Sequence, residues 1–331
     1  MSEKQVLRIP LLYIVIPCYN EQDVLPVTVP LFTAKMKSLI DQKLVDTASK
    51  ILFIDDGSAD HTWELLTQYT EEENTVCAMK LSRNRGHQNA LLAGYLEAKK
   101  HAEIVISADA DGQDDIDAMD EMICQYREGA DVVYGVRSDR ATDTFFKRNS
   151  AHLYYRLLNL LGGEVVFNHA DYCLVSSRVL EALEGYQEVN LFLRGIFPMI
   201  GFKSTVVLYE RKERMAGESK YSLLKMLSLA MDGITSFSIK PLRLITGMGI
   251  GTFLLSLLLI IYALISWFSG NTVPGWSSSF IGITLIGGVQ LISLGVIGEY
   301  VGKIYFETKK RPRFQVEKTC GMKDEIKNTC E

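Results

Sequence analysis

Three side chains that carry oxygen ligands stand at alternate positions in one short segment: Asp109, Asp111 and Gln113. In an extended segment alternate residues lie on the same face, so we expect these three side chains to converge. Two carboxylates and an amide oxygen form a hard, all-oxygen site that suits Mg²⁺ or Mn²⁺. A cation bound there would neutralise the charge of a diphosphate. The spacing therefore predicts a divalent-metal site for a phosphate-bearing ligand.

Two other polar segments precede this one in the chain. Asp55 and Asp56 are adjacent acids followed by glycine, a turn sequence, and such carboxylates can accept hydrogen bonds from a base or a ribose. Further upstream, Pro17 is expected to end a strand, and Asn20 and Glu21 are expected to cap the helix that follows. Each segment is a weak signal alone, but the order of the three along the chain predicts one ligand site.

The elements that must position these residues follow from the apolar pattern. Short runs without polar alternation indicate strands that are buried on both faces, and they alternate with helical patterns. Alternating strands and helices predict an α/β domain with a mostly parallel sheet, whose ligands bind beyond the carboxyl ends of the strands. The predicted strands are residues 11–16, 50–55, 75–81, 103–107 and 131–136, and the helices lie near residues 21–40, 60–70, 87–100 and 114–128.

The C-terminal third predicts a membrane hairpin. Residues 244–298 contain no Asp, Glu, Lys or Arg. Two transmembrane helices are expected at residues 244–268 and 280–302, joined by an extracytoplasmic linker at 269–279. Basic residues flank the pair on both sides, so the positive-inside rule predicts that both termini, including a basic tail at 303–331, are cytoplasmic.

Two amphipathic segments precede the hairpin, at residues 145–161 and 216–243. Each combines an apolar stripe with basic flanks, which is typical of helices in the membrane interface. Packing against the sheet explains the same pattern, and both interpretations stay open at this point. The catalytic domain is expected to span residues 1–215.

Composition excludes some functional classes. A formal net charge of −5 over 331 residues argues against a nucleic-acid partner. The six cysteines show no C-x-x-C pair, which favours reduced thiols in a cytoplasmic domain. The N-terminal residues lack an apolar core of signal-peptide length, so we expect the domain to stay in the cytoplasm. No P-loop and no G-x-G-x-x-G is present, which argues against kinases and dehydrogenases.

Taken together, the motifs P-C-Y-N-E, D-D-G-S and D-A-D-G-Q resemble the donor site of glycosyltransferase family 2, which has the GT-A fold. The segment D-V-V-Y-G-V-R, the pair Arg194-Gly195, the R-x-x-R-x-x-G-x-S-K-Y motif at residues 211–221 and the terminal hairpin are similar to polyprenyl-phosphate glycosyltransferases. Bactoprenol glucosyltransferases and bacterial relatives of dolichol-phosphate mannose synthase share these features. The resemblance covers residues 11–315.

The resemblance implies a role for each matching residue. The nucleotide would be held by Pro17, Tyr19, Glu21, Asp55, Asp56 and Asp109. The metal, Mg²⁺ or Mn²⁺, would be held by Asp109, Asp111 and Gln113. Catalysis would involve Asp171, Arg137 and Arg214, with Asp171 at the position proposed for the base. The acceptor phosphate would meet Arg148, Arg211 and Lys220. Cys173 stands where relatives often carry arginine.

The resemblance further implies an inverting, metal-dependent transfer of a hexose from a nucleotide-diphosphate sugar to polyprenyl phosphate. UDP-glucose is the favoured donor, and N-acetylhexosamine, galactose and GDP-mannose stay open, as does homo-oligomer formation. A processive polysaccharide synthase is the first alternative, but Trp63, Trp267 and Trp276 lie outside any Q-x-x-R-W element. A non-catalytic membrane adaptor that binds sugar nucleotide is the second, and the complete acidic set argues against it.

Overall fold

The computed structural model describes residues 9–137, 169–186, 188, 192–210, 240–269 and 275–322. The chain forms two compact units. The first contains residues 1–152, 164–221 and 312–331, and the second contains residues 153–163 and 222–311. The predicted interfacial helix at 145–161, and the one at 216–243 up to residue 239, lie outside the described residues.

The first unit is built on one eight-stranded sheet of order β7-β5-β6-β4-β1-β2-β3-β8. β6 and β8 run antiparallel to their neighbours, and the other strands are parallel. The carboxyl ends of six strands therefore meet at one edge, and β6 and β8 both begin there. The strands are β1 (Leu12–Cys18), β2 (Lys50–Asp55), β3 (Val76–Leu81), β4 (Ile104–Ser107), β5 (Val132–Arg137), β6 (His169–Ser176), β7 (Ser204–Tyr209) and β8 (Val316–Cys320).

Helices cover both faces of this sheet, which explains the continuous apolar runs. In β1, Leu12, Ile14 and Ile16 pack on one face, whereas Tyr13 and Val15 pack on the other. The first face is covered by α1 (Leu25–Asp41), α2 (Thr62–Glu72) and α4 (Ala118–Arg127). The second is covered by α3 (His87–Ala98), α5 (Ser177–Glu184) and α6 (Leu193–Ile200). The predicted α/β class and mostly parallel sheet are confirmed.

All five predicted strands and all four predicted helices exist, but two local predictions at the first strand are wrong. β1 continues through Pro17 to Cys18. Its pairing with β4 ends at Val15, so the missing N–H of Pro17 interrupts no ladder on that side. Asn20 and Glu21 do not cap α1, because the helix begins later, with Val24 at the N-cap position and no side-chain cap.

The second unit contains two long helices, α7 (Lys240–Phe268) and α8 (Trp276–Lys309). Both are longer than the predicted spans at 244–268 and 280–302, and α8 takes up the end of the predicted linker. Apolar side chains face outward: Leu258 is 64% exposed and Leu285 is 68% exposed. Within the described residues one segment, Leu285–Lys309, is long and apolar enough to cross a membrane, with a mean hydropathy of 1.5.

After α8 the chain returns to the sheet, so the predicted basic tail at 303–331 contains the end of α8 and the strand β8. β8 pairs antiparallel with β3, with Cys320 opposite Ala78. Just before it, the carbonyl of Gln315 accepts a hydrogen bond from the Ser82 N–H (2.9 Å). Arg313 donates from Nη2 to the carbonyl oxygen of Tyr186 (2.6 Å). Residues 312–322 are therefore an integral part of the first unit.

Candidate active site

The loops after β1 and β2 are joined by hydrogen bonds. The Asn20 N–H donates to Oγ of Ser58 (2.9 Å), and Oδ1 of Asn20 accepts from the Ala59 N–H (2.9 Å). The Glu21 N–H donates to Oγ1 of Thr62 (2.9 Å). Asn20 has a φ of 55°, a left-handed conformation that asparagine tolerates better than most residues. Asn20 therefore fixes one loop against the other.

Asp55 and Asp56 lie inside this edge of the sheet, at 0% and 3% exposure. Oδ1 of Asp55 accepts from the Ser58 N–H (2.9 Å), and its Oδ2 lies 3.9 Å from Nζ of Lys80. Asp56 accepts from the backbone N–H groups of Arg85 (2.7 Å) and Gly86 (2.8 Å). Burial raises the pKa of both carboxyls, although these hydrogen bonds act against the rise. The contacts of Asp55 and Asp56 in the structure hold the loops at this edge together. Their contacts with a nucleotide remain a prediction.

Gly57, the next residue, shows why this turn needs glycine. Its φ is +67°, and a Cβ atom there would lie 2.5 Å from the carbonyl carbon of Arg83. The loops after β2 and β3 thus touch through their backbones. The other residues that the resemblance assigns to the nucleotide are more accessible: Tyr19 is 45% exposed, and Pro17 and Glu21 are half-buried.

The predicted metal residues follow β4, but the segment is not extended, so the argument from alternation is wrong. Residues 110–112 form a turn in which Gly112 has a φ of 65°. The Gln113 N–H donates to Oδ1 of Asp111 (3.2 Å). Asp109 and Asp111 are half-buried, whereas Gln113 is only 7% exposed. The turn therefore leaves the two carboxylates accessible and turns the amide inward.

Negative charge is concentrated around Asp109. Burial raises the pKa of Asp109 to about 6, and the His87 imidazole, 4.0 Å away, acts in the opposite direction. The neighbouring carboxylates of Asp114, Asp171 and Asp111 add to the rise. A cation that binds beside Asp109 would therefore stabilise the ionised form of this carboxylate.

This donor set fits a hard divalent cation. Mg²⁺ and Mn²⁺ prefer carboxylate oxygens, and sites that also bind substrate phosphates need only one or two of them. Asp109 and Asp111 supply two. Within the described ranges no group of three or more His, Cys, Asp and Glu side chains is arranged to hold a metal ion. The remaining ligand positions would therefore have to come from the diphosphate, from water or from an amide such as Gln113.

Asp171, near the start of β6, is contacted by side chains of two helices. Arg194 of α6 donates to it with a fork, from Nε to Oδ1 (2.6 Å) and from Nη2 to Oδ2 (2.8 Å). Nε2 of His87 lies 3.1 Å from Oδ2. Nε2 of Gln88 lies 3.4 Å from each carboxylate oxygen. Three residues from two helices thus converge on one carboxylate.

These contacts determine the ionisation of the cluster. Burial by itself would raise the pKa of Asp171, but Arg194 and His87 lower it well below the ordinary carboxyl range. Burial would lower the pKa of His87, yet Asp171 and Asp109 together raise it. A carboxylate with such a low pKa is a weak proton acceptor. Asp171 is therefore better suited to holding N–H and cationic groups in place than to removing a proton.

Arg137, at the end of β5, belongs to a second polar contact at the same edge. Its Nε donates to the Tyr209 hydroxyl (3.3 Å), which in turn donates to Oδ1 of Asp114 (2.6 Å). Its Nη2 lies 4.0 Å from the same Asp114 oxygen. The Arg137 side chain is 28% exposed. The other predicted basic residues, Arg148, Arg211, Arg214 and Lys220, lie outside the described residues.

Sequence reasoning missed His87 and Gln88, and it used Arg194 only as part of a motif. The available signal was position: His87 and Gln88 open α3 directly after the loop that binds Asp56. Cys173 stands where relatives often carry arginine, and its Sγ lies 3.5 Å from both the Tyr95 hydroxyl and Oγ of Ser107. The arginine that contacts Asp171 is Arg194 instead.

Comparison with known proteins identifies this arrangement. Residues 13–184 match Glycosyl transferase family 2, and residues 240–304 match the GtrB C-terminal hairpin. "Uncharacterized glycosyltransferase YkoT" of Bacillus subtilis is 51% identical over 308 residues, which cover 93% of this chain and 91% of that protein. The SfII prophage-derived bactoprenol glucosyl transferase of Shigella flexneri is 38% identical, with 92% and 97% covered.

A third relative, the prophage bactoprenol glucosyl transferase homolog of Escherichia coli, is 36% identical, with 92% of this chain and 98% of that protein covered. The two family matches therefore cover most of the sheet and the hairpin helices. The chain belongs to glycosyl transferase family 2, and it is a glycosyltransferase that carries a GtrB-type C-terminal hairpin.

Proposed function

We propose that this protein transfers a hexose from a nucleotide-diphosphate sugar, with UDP-glucose as the favoured donor, to polyprenyl phosphate. The observation that carries the proposal is where the chain leaves and rejoins the sheet. β7 ends at Tyr209 and β8 begins at Val316, both at the edge where the acidic residues lie. The chain segment that contains the hairpin, residues 210–315, thus leaves and rejoins the sheet at this edge. The names of the relatives, bactoprenol glucosyl transferases, support the same acceptor.

In the proposed reaction, a phosphate oxygen of the acceptor attacks the anomeric carbon from the face opposite the nucleotide. The bond between that carbon and the diphosphate oxygen breaks, its electron pair leaves with the nucleoside diphosphate, and the anomeric configuration inverts. A phosphate monoester loses its second proton near a pKa of about 6. At neutral pH the nucleophile is therefore already ionised, and the site has to compensate charge rather than remove a proton.

Some residues of the site would compensate the charge of the donor diphosphate, and others would bind the acceptor phosphate. Asp109 and Asp111 would hold Mg²⁺ or Mn²⁺, which when bound would offset the negative charge of the diphosphate. Arg137, whose side chain is 28% exposed, would meet a phosphate at the same edge. Asp171, fixed by Arg194 and His87, orders the cationic groups around the acceptor. Arg148, Arg211, Arg214 and Lys220 are proposed to meet the acceptor phosphate or support catalysis, as the resemblance implies.

Connectivity supports the proposed membrane topology. Because β8 pairs with β3, residues 9–210 and residues 312–322 must lie on the same side of any membrane that the intervening segment crosses. That segment must cross an even number of times, which two helices satisfy. Basic residues at both ends of the pair, among them Lys240, Lys309 and Lys310, favour the cytoplasm for the sheet and both termini.

A product assay tests the proposed function. Membranes that contain the protein would receive polyprenyl phosphate and one sugar nucleotide at a time: UDP-glucose, UDP-N-acetylhexosamine, UDP-galactose or GDP-mannose. We expect mass spectrometry to detect one hexose on the lipid phosphate, and nucleotide release only when the lipid is present. Lipid-independent polymer would indicate a processive synthase, and donor binding without turnover would indicate an adaptor.

A reporter experiment tests the topology. A reporter that is active only outside the cytoplasm should be silent when fused after Glu331, and active when inserted in the linker at residues 270–278. The reverse pattern would contradict the proposed orientation. Activity at both positions would place the linker and the C-terminus on the same side of the membrane, which would contradict a crossing by α8.

A further inference from the structure

The segment Arg85–Gln88 links two carboxylates that stand on different strands. The backbone N–H groups of Arg85 and Gly86 bind Asp56, which follows β2. The next two side chains, His87 and Gln88, face Asp171 on β6. His87 and Gln88 are also the first residues of α3, so the positive end of the helix dipole lies beside Asp171.

Gln88 makes a second contact that no other residue of the cluster makes. Its Oε1 accepts a hydrogen bond from the Leu193 N–H (3.0 Å), the first residue of α6. The first N–H groups of a helix have no partner inside the helix, and the N-cap residue, Phe192, supplies no side-chain cap. A glutamine from α3 therefore caps α6, and the residue after the capped N–H is Arg194.

A small cavity lies beside the cluster at the start of α6. Asp171, Leu193, Arg194 and Phe197 line it, together with Leu91, Tyr95, Tyr134 and Cys173. The two hydrogen bonds from Arg194 to Asp171 require that Nε and Nη2 be aligned with the two carboxylate oxygens. A small displacement of the start of α6 would change that alignment, so the cap at Leu193 bears directly on it.

We propose that Gln88 is a positioning residue for transfer, because its amide oxygen caps α6 while its amide nitrogen faces Asp171, and so aligns Arg194 with that carboxylate. This inference rests on the proposed function, since it assigns the cluster to the acceptor step. Only an amide of this length can accept from Leu193 and donate toward Asp171 at the same time. Glutamate would keep the cap and place a carboxylate 3.4 Å from both Asp171 oxygens.

The test compares Gln88→Glu with Gln42→Glu in the full chain. Gln42 is an exposed residue at the end of α1, so it provides the same chemical change away from the site. We expect Gln88→Glu to lower kcat for transfer to polyprenyl phosphate by about 10- to 100-fold, the scale of a misplaced reacting group. The donor Kd from calorimetry should change by less than about threefold. Gln42→Glu should match the wild type in both measurements.

Two results would overturn the proposal. Unchanged transfer by Gln88→Glu would show that the amide is dispensable, and a parallel loss of donor affinity and unfolding midpoint would show a general scaffold role. Gln88→Met, which removes the cap without adding charge, should retain donor affinity and show a smaller loss of kcat. It serves as the second variant if Gln88→Glu does not fold.

The wild type separates this proposal from the proposed function. A wild type that binds the sugar nucleotide without transferring to polyprenyl phosphate would contradict the proposed function. In that case, thermal unfolding of Gln88→Met, Arg194→Met and the double variant would test whether Gln88 and Arg194 are coupled. Non-additive shifts of the unfolding midpoint would support the coupling, and additive shifts would overturn it.

Discussion

Asp55 ends β2 and Asp56 follows it, while Asp109 and Asp111 follow β4, and these two strands of the sheet are separated by β1 alone. The first pair is buried, and backbone N–H groups of neighbouring loops donate to it. The second pair is half-exposed on a turn and crowded by other carboxylates. Acids at equivalent strand ends thus differ: the first pair binds backbone groups of the loops, and the second pair is half-exposed.

The largest expected effect is on the exposed pair. Asp111→Asn should lower the transfer rate by about 100-fold or more, because it removes one of the two carboxylates offered to the metal. The unfolding midpoint and membrane insertion should stay unchanged, since asparagine retains the Oδ1 that accepts from Gln113. The measurement is initial rate against Mg²⁺ or Mn²⁺ concentration. Full wild-type activity in excess EDTA would contradict the metal assignment.

A smaller effect is expected at Asp171, where the pKa is well below the ordinary range. Asp171→Asn should lower the transfer rate by about 10- to 100-fold, because the asparagine cannot accept the full Arg194 fork. The factor should be constant from about pH 6 to 9, since the acceptor phosphate needs no base. The measurement is a rate–pH profile for both proteins. Recovery of the variant at alkaline pH would instead identify Asp171 as a general base.

For the buried pair the expected effect is on stability. Asp56→Asn should lower the free energy of unfolding by about 1–3 kcal/mol, because the new amide places a donor against a backbone N–H. Activity per folded molecule should fall less than in Asp111→Asn. The measurements are the unfolding midpoint and the donor Kd. Lost donor affinity at an unchanged midpoint would place Asp56 with the ligand-binding acids, as the resemblance implies.

The smallest expected effect is the pH dependence of the Asp171 contribution to stability. Its pKa is lowered in the folded state, so the unfolded chain takes up protons first as the pH falls. The stabilisation is therefore fully present above the ordinary carboxyl pKa of about 4, and it declines below that pH. The difference in unfolding midpoint between the wild type and Asp171→Asn should shrink between about pH 5 and pH 3. A difference that grows in this range would contradict the pairing with Arg194.

The comparison also shows which parts of the molecule could be predicted. The five strands were located because they are buried on both faces and read as continuous apolar runs. The same runs placed the acidic residues at the carboxyl edge correctly. The sequence could not show which of these carboxylates bind protein groups. The partners of Asp56, for example, are backbone N–H groups 29 and 30 residues away in sequence.

The antiparallel strands were missed for a different reason. β6 enters at the carboxyl edge, so Asp171 comes from the start of a strand rather than from its end, and only the resemblance pointed to it. Gln113 shows the limit of alternation as an argument. The left-handed Gly112 turns the segment, so side chains two residues apart do not share a face.

β8 is synthesised after both hairpin helices, yet it lies against β3, which is synthesised before them. Until both hairpin helices have been synthesised, the β3 edge that receives β8 has unpaired N–H and C=O groups. Completion of the catalytic sheet therefore waits for the membrane segment to emerge and for the chain to return. A polypeptide that stops within the hairpin retains an open β-edge, which exposes it to aggregation and proteolysis. The order of synthesis thus couples maturation of the enzyme to completion of its anchor.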